Sequence, residues 1–389
     1  TQIYAYFIEK YDASLPTIML FSGGPGQASH FTSLGEKFFK DISRNKFNFL
    51  QFDQRGIACS QPASKKLYAS RSFYSTENTA RDANEIRKFF KLDSVVAFGV
   101  SYGTAPATMY AHFFPKNTRS VVVEGTVYAG SSYPTNVVNT AAWFMWTKMG
   151  DEKKAQLLTH AKAESFKPAD WYSLFLEILS TNGFDGMKVF VSELKASKKE
   201  FAEAVGDAFQ KASNYKVADD FYKGQDFYSD VLLYQIDPTV NTTLICKEFT
   251  HTPKQNQGLV NFVKEGPIVS TKSVDMTFKS CGENSYLAQN YPITVPVTYI
   301  HGGFDPRVSI SQGDAHFQSV PKGKAQFIYF PWAGHNPSLQ IFFNNGLSSG
   351  QMSQYLEMIQ KAFLGQNLKS DITELKKSLD IEIEYRTRN

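Results

Sequence analysis

The sequence predicts an α/β protein: a mostly parallel central sheet flanked by helices, with a mainly helical insertion threaded into it. Two observations predict the sheet. Short apolar runs alternate with stretches of helical spacing over the first 130 residues, and the same rhythm returns after residue 290. Strands buried on both faces read as continuous apolar runs, and the helices that cover those faces supply the alternation. A third observation predicts the insertion. Residues 130–285 carry Lys- and Glu-rich helical stretches, such as 187–212, and few strong strands.

In chain order, residues 3–11 read as a strand rich in β-branched and aromatic side chains. Thr17–Phe21 is an apolar run stopped by Gly23, Gly24, Pro25 and Gly26, and 47–52 is a strand followed by Asp53-Gln54-Arg55-Gly56. Residues 76–90 have helical spacing, with Ser75 or Thr76 as the N-cap. A strand is expected over 94–100, a helix over 102–114 and a strand over 120–123. Beyond the insertion come a strand at 295–300, a helix at 311–317, a strand at Ala325–Phe330, and closing helices at 352–363 and 371–379. The expected domains are therefore a core from 1–129 and 286–389, and an inserted helical cap from 130–285. For 389 residues, a prior of about 150 per domain gives two to three units, which one core plus one cap satisfies.

Composition narrows the function classes. With 42% hydrophobic and 20% charged residues, disorder and collagen-like repeats are excluded. No fixed-period repeat or low-complexity tract is present. No apolar run approaches the roughly 18 residues of a membrane span. A net charge of +4 with both signs mixed argues against a nucleic-acid partner. The first residues, from Thr1, lack a basic start and an apolar signal core, so an export signal is expected to be already gone or never to have existed. The 33 Phe, 20 Tyr and 4 Trp suit a large core and apolar ligand pockets equally.

The sharpest chemical signal is Gly99-Val100-Ser101-Tyr102-Gly103, a G-x-S-x-G run between an expected strand and an expected helix. In a nucleophile elbow the glycines permit a tight strand-to-helix turn that exposes the serine hydroxyl. The helix N-terminus then offers backbone N–H groups to a developing oxyanion. A serine at neutral pH needs a base, and the base needs an orienting acid, in the chain order Ser, acid, His. Asp305 follows the strand ending at Ile300, and His335 follows the strand ending at Phe330. Of seven histidines, His335 alone follows the last expected strand; His301 and His316 do not fall in a loop suited to face Ser101. The glycine loop Ser22-Gly23-Gly24-Pro25-Gly26 is expected to supply a second oxyanion donor, giving Gly24 N–H with Tyr102 N–H. A phosphate-binding loop is excluded, because no Gly-Lys-Ser/Thr follows. No Cys or His pair has metal-ligand spacing, and neither a metal nor another cofactor is expected.

With these residues placed, the chain resembles the α/β-hydrolase fold, and within it the proline iminopeptidase and tripeptidyl aminopeptidase group of serine exopeptidases. Ser22-Gly23-Gly24-Pro25-Gly26 is similar to the group's H-G-G-P-G with Ser in place of His, and Asp53-Gln54-Arg55-Gly56 matches its D-Q-R-G. The helix carrying Thr79, Arg81, Asp82 and Arg87 resembles the one before the elbow strand. Ser101-Tyr102-Gly103-Thr104 resembles the tripeptidyl aminopeptidase elbow. The resemblance spans about residues 15–130 and 290–340. It implies that acids near the cap hold the substrate's N-terminal amine, with Glu124 and Glu248 as the positions to consider; a solvated surface acid is the alternative for Glu248. It implies a Cys246–Cys281 disulfide, as in secreted members, with Cys59 left unpaired, and hence a periplasmic or secreted location; free thiols in a cytoplasmic protein are the alternative. Asp53 and Arg55 are read as braces for loops under the site.

The leading expectation is a monomeric serine aminopeptidase acting on peptides through an acyl-enzyme. Ser101 is the nucleophile, His335 the base and Asp305 its orienting acid. A carboxylesterase with the same triad is the runner-up, its small-molecule pocket drawing on Trp143, Trp146 and Trp171. A non-catalytic binding protein on a hydrolase fold is the reading from a different class.

Overall fold

Strands β1 (Ala5–Phe7), β2 (Thr17–Phe21), β3 (Asn48–Phe52), β4 (Val95–Val100), β5 (Thr118–Glu124), β6 (Val297–Gly302), β7 (Ala325–Phe330) and β8 (Glu384–Thr387) form one sheet in the computed structural model. Their order is β1-β3-β2-β4-β5-β6-β7-β8. The structure describes residues 2–29, 33–60, 73–129, 135–162, 168–213, 244, 248–249, 286–344 and 347–388. The six central strands run parallel, and β1 and β8 close the edges antiparallel.

Side chains alternate between the two faces of each strand, and both faces are covered. Met19, Phe21, Leu50, Phe52, Ala97, Val121, Val123 and Tyr299 pack on one face. The helices α2 (Thr76–Phe89), α3 (Thr104–Phe113) and α8 (Ile310–Ser319) contribute Ala80, Ala83, Met109 and Phe317 there. Ile18, Leu20, Phe49, Val96, Phe98, Val122, Ile300 and Ile328 face the other way. They meet α1 (Ser33–Ser43), α9 (Pro337–Asn344), α10 (Ser349–Phe363) and α11 (Lys369–Leu379). Double coverage is why these strands read as unbroken apolar runs.

Between β5 and β6 the chain forms α4 (Thr135–Lys148), α5 (Asp151–Lys162), α6 (Pro168–Ala196) and α7 (Phe201–Ser213). These helices bury a third cluster of their own, with Met145, Leu157, Phe175, Phe190, Phe201 and Phe209 at its centre.

Several elements differ from expectation. The first strand is only three residues long, because Glu9, Lys10 and Tyr11 are exposed beyond the sheet edge. The 187–212 stretch is two helices separated at 197–200. The elbow helix starts at Thr104, after a single 3-10 turn at Ser101–Gly103. Helices α1 and α9 and the polar edge strand β8 were not anticipated. Of the two candidate caps for α2, Ser75 is the one used: its hydroxyl accepts from Asn78 N at 3.1 Å.

Candidate active site

The register brings the C-terminal ends of the central strands level. Val100 lies opposite Glu124, Glu124 opposite Ile300, and Gly302 opposite Phe330. Ser101, Asp305 and His335 therefore all follow the carboxyl ends of central strands, the side on which open parallel sheets bind ligands.

Ser101 has φ +56°, a left-handed conformation that a non-glycine residue rarely adopts. It sits between an extended Val100 and the Ser101–Gly103 turn, which is the geometry of a nucleophile elbow. The elbow needs Gly103 because the turn presses against strand β2. A Cβ there would stand 2.0 Å from the Phe21 carbonyl oxygen. Thr104 ties the turn down: its hydroxyl donates to Ser101 O at 2.7 Å and accepts from Val127 N at 3.0 Å. The Tyr102 side chain is buried behind the elbow, its hydroxyl 3.1 Å from Thr76 Oγ1 and its ring edge-on to Phe249. Burial and the nearby Glu248 carboxylate push its phenol far above the ordinary range.

The glycine loop runs beside Ser101, since a Cβ on Gly23 would stand 3.5 Å from Ser101 Cβ. Gly24 has φ +109°. Gln54 supports this loop from below by donating to Ser22 O at 3.0 Å. Asp53 accepts from Ser29 N and Oγ, each at 2.8 Å, and from Cys59 N at 3.1 Å. Arg55 makes a two-pronged bond to Asp82 at 2.8 and 2.7 Å. Both residues brace loops, as read from the sequence.

Asp305 and His335 form a buried pair, with Nδ1–H donating to Oδ2 at 2.8 Å. The other carboxylate oxygen accepts from Arg307 N at 2.8 Å and Val308 N at 2.9 Å. Burial alone would raise the Asp305 pKa. The facing His335, the His335 hydrogen bond, the nearby His301 and the Val308 N–H outweigh it and hold the carboxyl below its ordinary value. The acid therefore stays ionised to orient the imidazole, leaving Nε2 as the nitrogen able to take a proton. His301 and His316 are buried, and burial lowers both, His316 to about 4.

A family model for the α/β hydrolase fold matches residues 16–340. The chain belongs to the α/β hydrolase family. A stretch of it is 24% identical to the serine protease Hip1 of Mycobacterium tuberculosis (strain ATCC 25618 / H37Rv), covering 28% of this chain and 29% of that protein. The chain thus spans less than a third of the length of the curated relative it matches. Among solved structures, it is similar to a proline iminopeptidase from Mycobacterium smegmatis, at 14% identity, TM-score 0.47 and 96% coverage of each chain. An esterase from Exiguobacterium antarcticum is similar at 14% identity and TM-score 0.45, covering 93% of this chain and 95% of that one.

Other candidate residues of this α/β hydrolase take varied places. Glu124 is 2% exposed at the end of β5, and its carboxylate accepts from Ser338 N, in the first turn of α9, at 2.8 Å. Burial, tempered by the Ser338 donor and reinforced by Asp305, raises its pKa to about 7. Glu248 is 4% exposed and accepts from Thr76 N at 3.2 and 3.3 Å and from the Thr76 hydroxyl, at the start of α2. Trp171 is sealed in the core of the insertion, whereas Trp143 is exposed and Trp146 partly buried. Cys59 is an exposed free thiol; Cys246 and Cys281 lie outside the described residues. Among the described residues no helix is long and apolar enough to cross a membrane, and no cluster of three metal-ligating side chains forms. Sequence reading missed Glu177, Ser180 and Arg307, which gather around Asp305 and His335; adjacency to Asp305 is the signal that could have drawn attention to Arg307.

Proposed function

We propose that this α/β hydrolase is a serine aminopeptidase, releasing N-terminal residues from peptides through an acyl-enzyme. The observation that carries the reading is the strained Ser101 elbow at the same end of the sheet, past the carboxyl ends of its strands, as the buried Asp305–His335 pair. Ser101 Oγ attacks the scissile carbonyl and passes its proton to His335 Nε2, while Asp305 holds the opposite ring nitrogen and balances the imidazolium. Gly24 N–H and Tyr102 N–H receive the oxyanion. His335 then protonates the leaving amine, and water repeats the sequence on the acyl-enzyme. Glu248 is the acid proposed to meet the substrate's ammonium group. Thr76 links its carboxylate to Tyr102, the residue after the nucleophile.

One observation favours a second reading, a carboxylesterase with the same triad. Both acids available for an amine, Glu124 and Glu248, already accept from backbone N–H groups and are buried. Chromogenic peptide amides with free and N-acetylated ends separate the two readings. An aminopeptidase loses at least about tenfold in kcat/KM on acetylation, the worth of one charge-assisted bond. Equal rates for both forms, with faster turnover of simple aryl esters, would assign the esterase instead.

A further inference from the structure

The acid and base loops are both held by one short segment of the insertion, residues 177–184 of α6. Arg307, two residues past Asp305, reaches into this segment. Its terminal nitrogen pairs with Glu177 Oε2 at 2.9 Å, and its Nε donates to Ser180 Oγ at 2.8 Å. The pair is largely sheltered, with side-chain exposures of 23% and 9%. Ser180 Oγ donates its own proton to Leu176 O at 2.6 Å, which leaves its lone pairs to the arginine. The carbonyl of that same serine accepts from His335 N at 3.0 Å. One residue of the insertion therefore touches the acid loop through its side chain and the base through its backbone.

The helix is broken to make this fit. Gly183 has φ +56° and ψ −147° inside α6, and a Cβ on it would stand 2.2 Å from Trp332 O. Phe184 N donates to that same carbonyl at 3.3 Å, and the Phe184 ring stacks on Phe304 with centroids 4.7 Å apart. Gln340 closes the arrangement, donating to Asn182 O and accepting from Gly334 N, each at 2.9 Å. The segment thus meets the acid loop at Phe304 and Arg307 and the base loop at Trp332, Gly334 and His335.

We propose that Arg307 is a positioning residue through which the insertion sets the geometry of the Asp305–His335 pair. The proposal rests on the serine-hydrolase reading of Ser101, Asp305 and His335. Arg307 lends its backbone N–H to Asp305 Oδ1 at 2.8 Å, and the side chain fixes where that donor stands. Changing the side chain leaves the backbone donor in place but frees the loop that carries it. A displacement of about 1 Å in a catalytic group costs on the order of a hundredfold in rate, so the link to Glu177 and Ser180 acts on turnover rather than on substrate affinity.

The test uses the full chain with Arg307→Met, Arg307→Lys and Glu177→Gln, and a small dialkyl fluorophosphonate as probe. Active-site titration counts competent sites, so a poorly folding variant does not register as a slow one. Hydrogen exchange over residues 303–309 and 331–337 reads the coupling with no activity required. The expected result for Arg307→Met is a fall of roughly ten- to a hundredfold in phosphonylation per titrated site, with faster exchange in both segments. Glu177→Gln should cause a smaller fall in the same direction, and Arg307→Lys should recover part of the loss. Unchanged exchange, or unchanged phosphonylation per site despite faster exchange, overturns the positioning role. If the folded wild type takes no probe, the serine-hydrolase reading fails, and the exchange measurement alone decides whether the insertion holds the two loops.

Discussion

The two halves of the site are braced in different ways. On the nucleophile side, Ser101, the glycine loop and Tyr102 rest on the sheet core: Gly103 against Phe21, Thr104 against Val127, Gln54 against Ser22, Arg55 against Asp82. On the acid–base side, Asp305 and His335 lean on the insertion through Arg307 and Ser180, and Ser338, three residues past His335, donates to the buried Glu124. The chain between β5 and β6 reaches the nucleophile side only behind Tyr102, through Phe249 and the Glu248–Thr76 link. Around His335 the contact is direct, because α6, between β5 and β6, holds the loop that carries it through Ser180 O.

The largest effect outside the chemistry is expected at Glu124, under the acid–base half. Its folded pKa of about 7 stands above its ordinary 4.5 because of burial. The folded protein therefore takes up a proton between these values, and its stability falls as pH rises through that window and levels off above it. The span corresponds to about 3 kcal/mol. Glu124→Gln keeps an oxygen for Ser338 N and removes the titration. Urea unfolding from about pH 4 to pH 8 should show the variant gaining on the wild type by roughly that amount. Parallel stability curves would mean that Glu124 is ionised in the fold at little cost.

A smaller effect is expected on the nucleophile half. Arg55→Met breaks a two-pronged, mostly buried bridge and leaves the Asp82 carboxylate behind, at a cost of about 2 kcal/mol in unfolding free energy. Phosphonylation per titrated site should stay at the wild-type rate, in contrast to Arg307→Met. If Arg55→Met slowed labelling as much as Arg307→Met, the distinction between a core-braced and an insertion-braced half would be lost.

The same division explains how much was legible in the sequence. The nucleophile half is local. A glycine turn, a tight elbow and their strands are contiguous signals, since Gly99 and Gly103 flank Ser101 in the sequence, although the contact that demands Gly103 is with Phe21 on β2. The sites of Asp305 and His335 could be placed because strand ends punctuate the chain. Their support could not be placed. Arg307 and Glu177 are 130 residues apart, and the Asn182-Gly183 pair marks a break in α6 without saying what the break packs against. Glu124 and Glu248 were singled out as acids for an amine. Their partners, Ser338 N and Thr76 N, lie 214 and 172 residues away and are backbone groups that no side-chain pattern encodes. Short edge elements escaped for a related reason: Glu384–Thr387 is polar and owes its strand conformation to pairing with β7.

The central claim is that Ser101, activated by His335 and Asp305, is the nucleophile. Fluorophosphonate treatment of the folded wild type followed by peptide mass spectrometry tests it directly. One adduct is expected on the peptide carrying Ser101, with no adduct on that peptide in Ser101→Ala and labelling slowed by about a thousandfold or more in His335→Ala. A folded, unlabelled wild type, or an adduct that persists in Ser101→Ala, would contradict it.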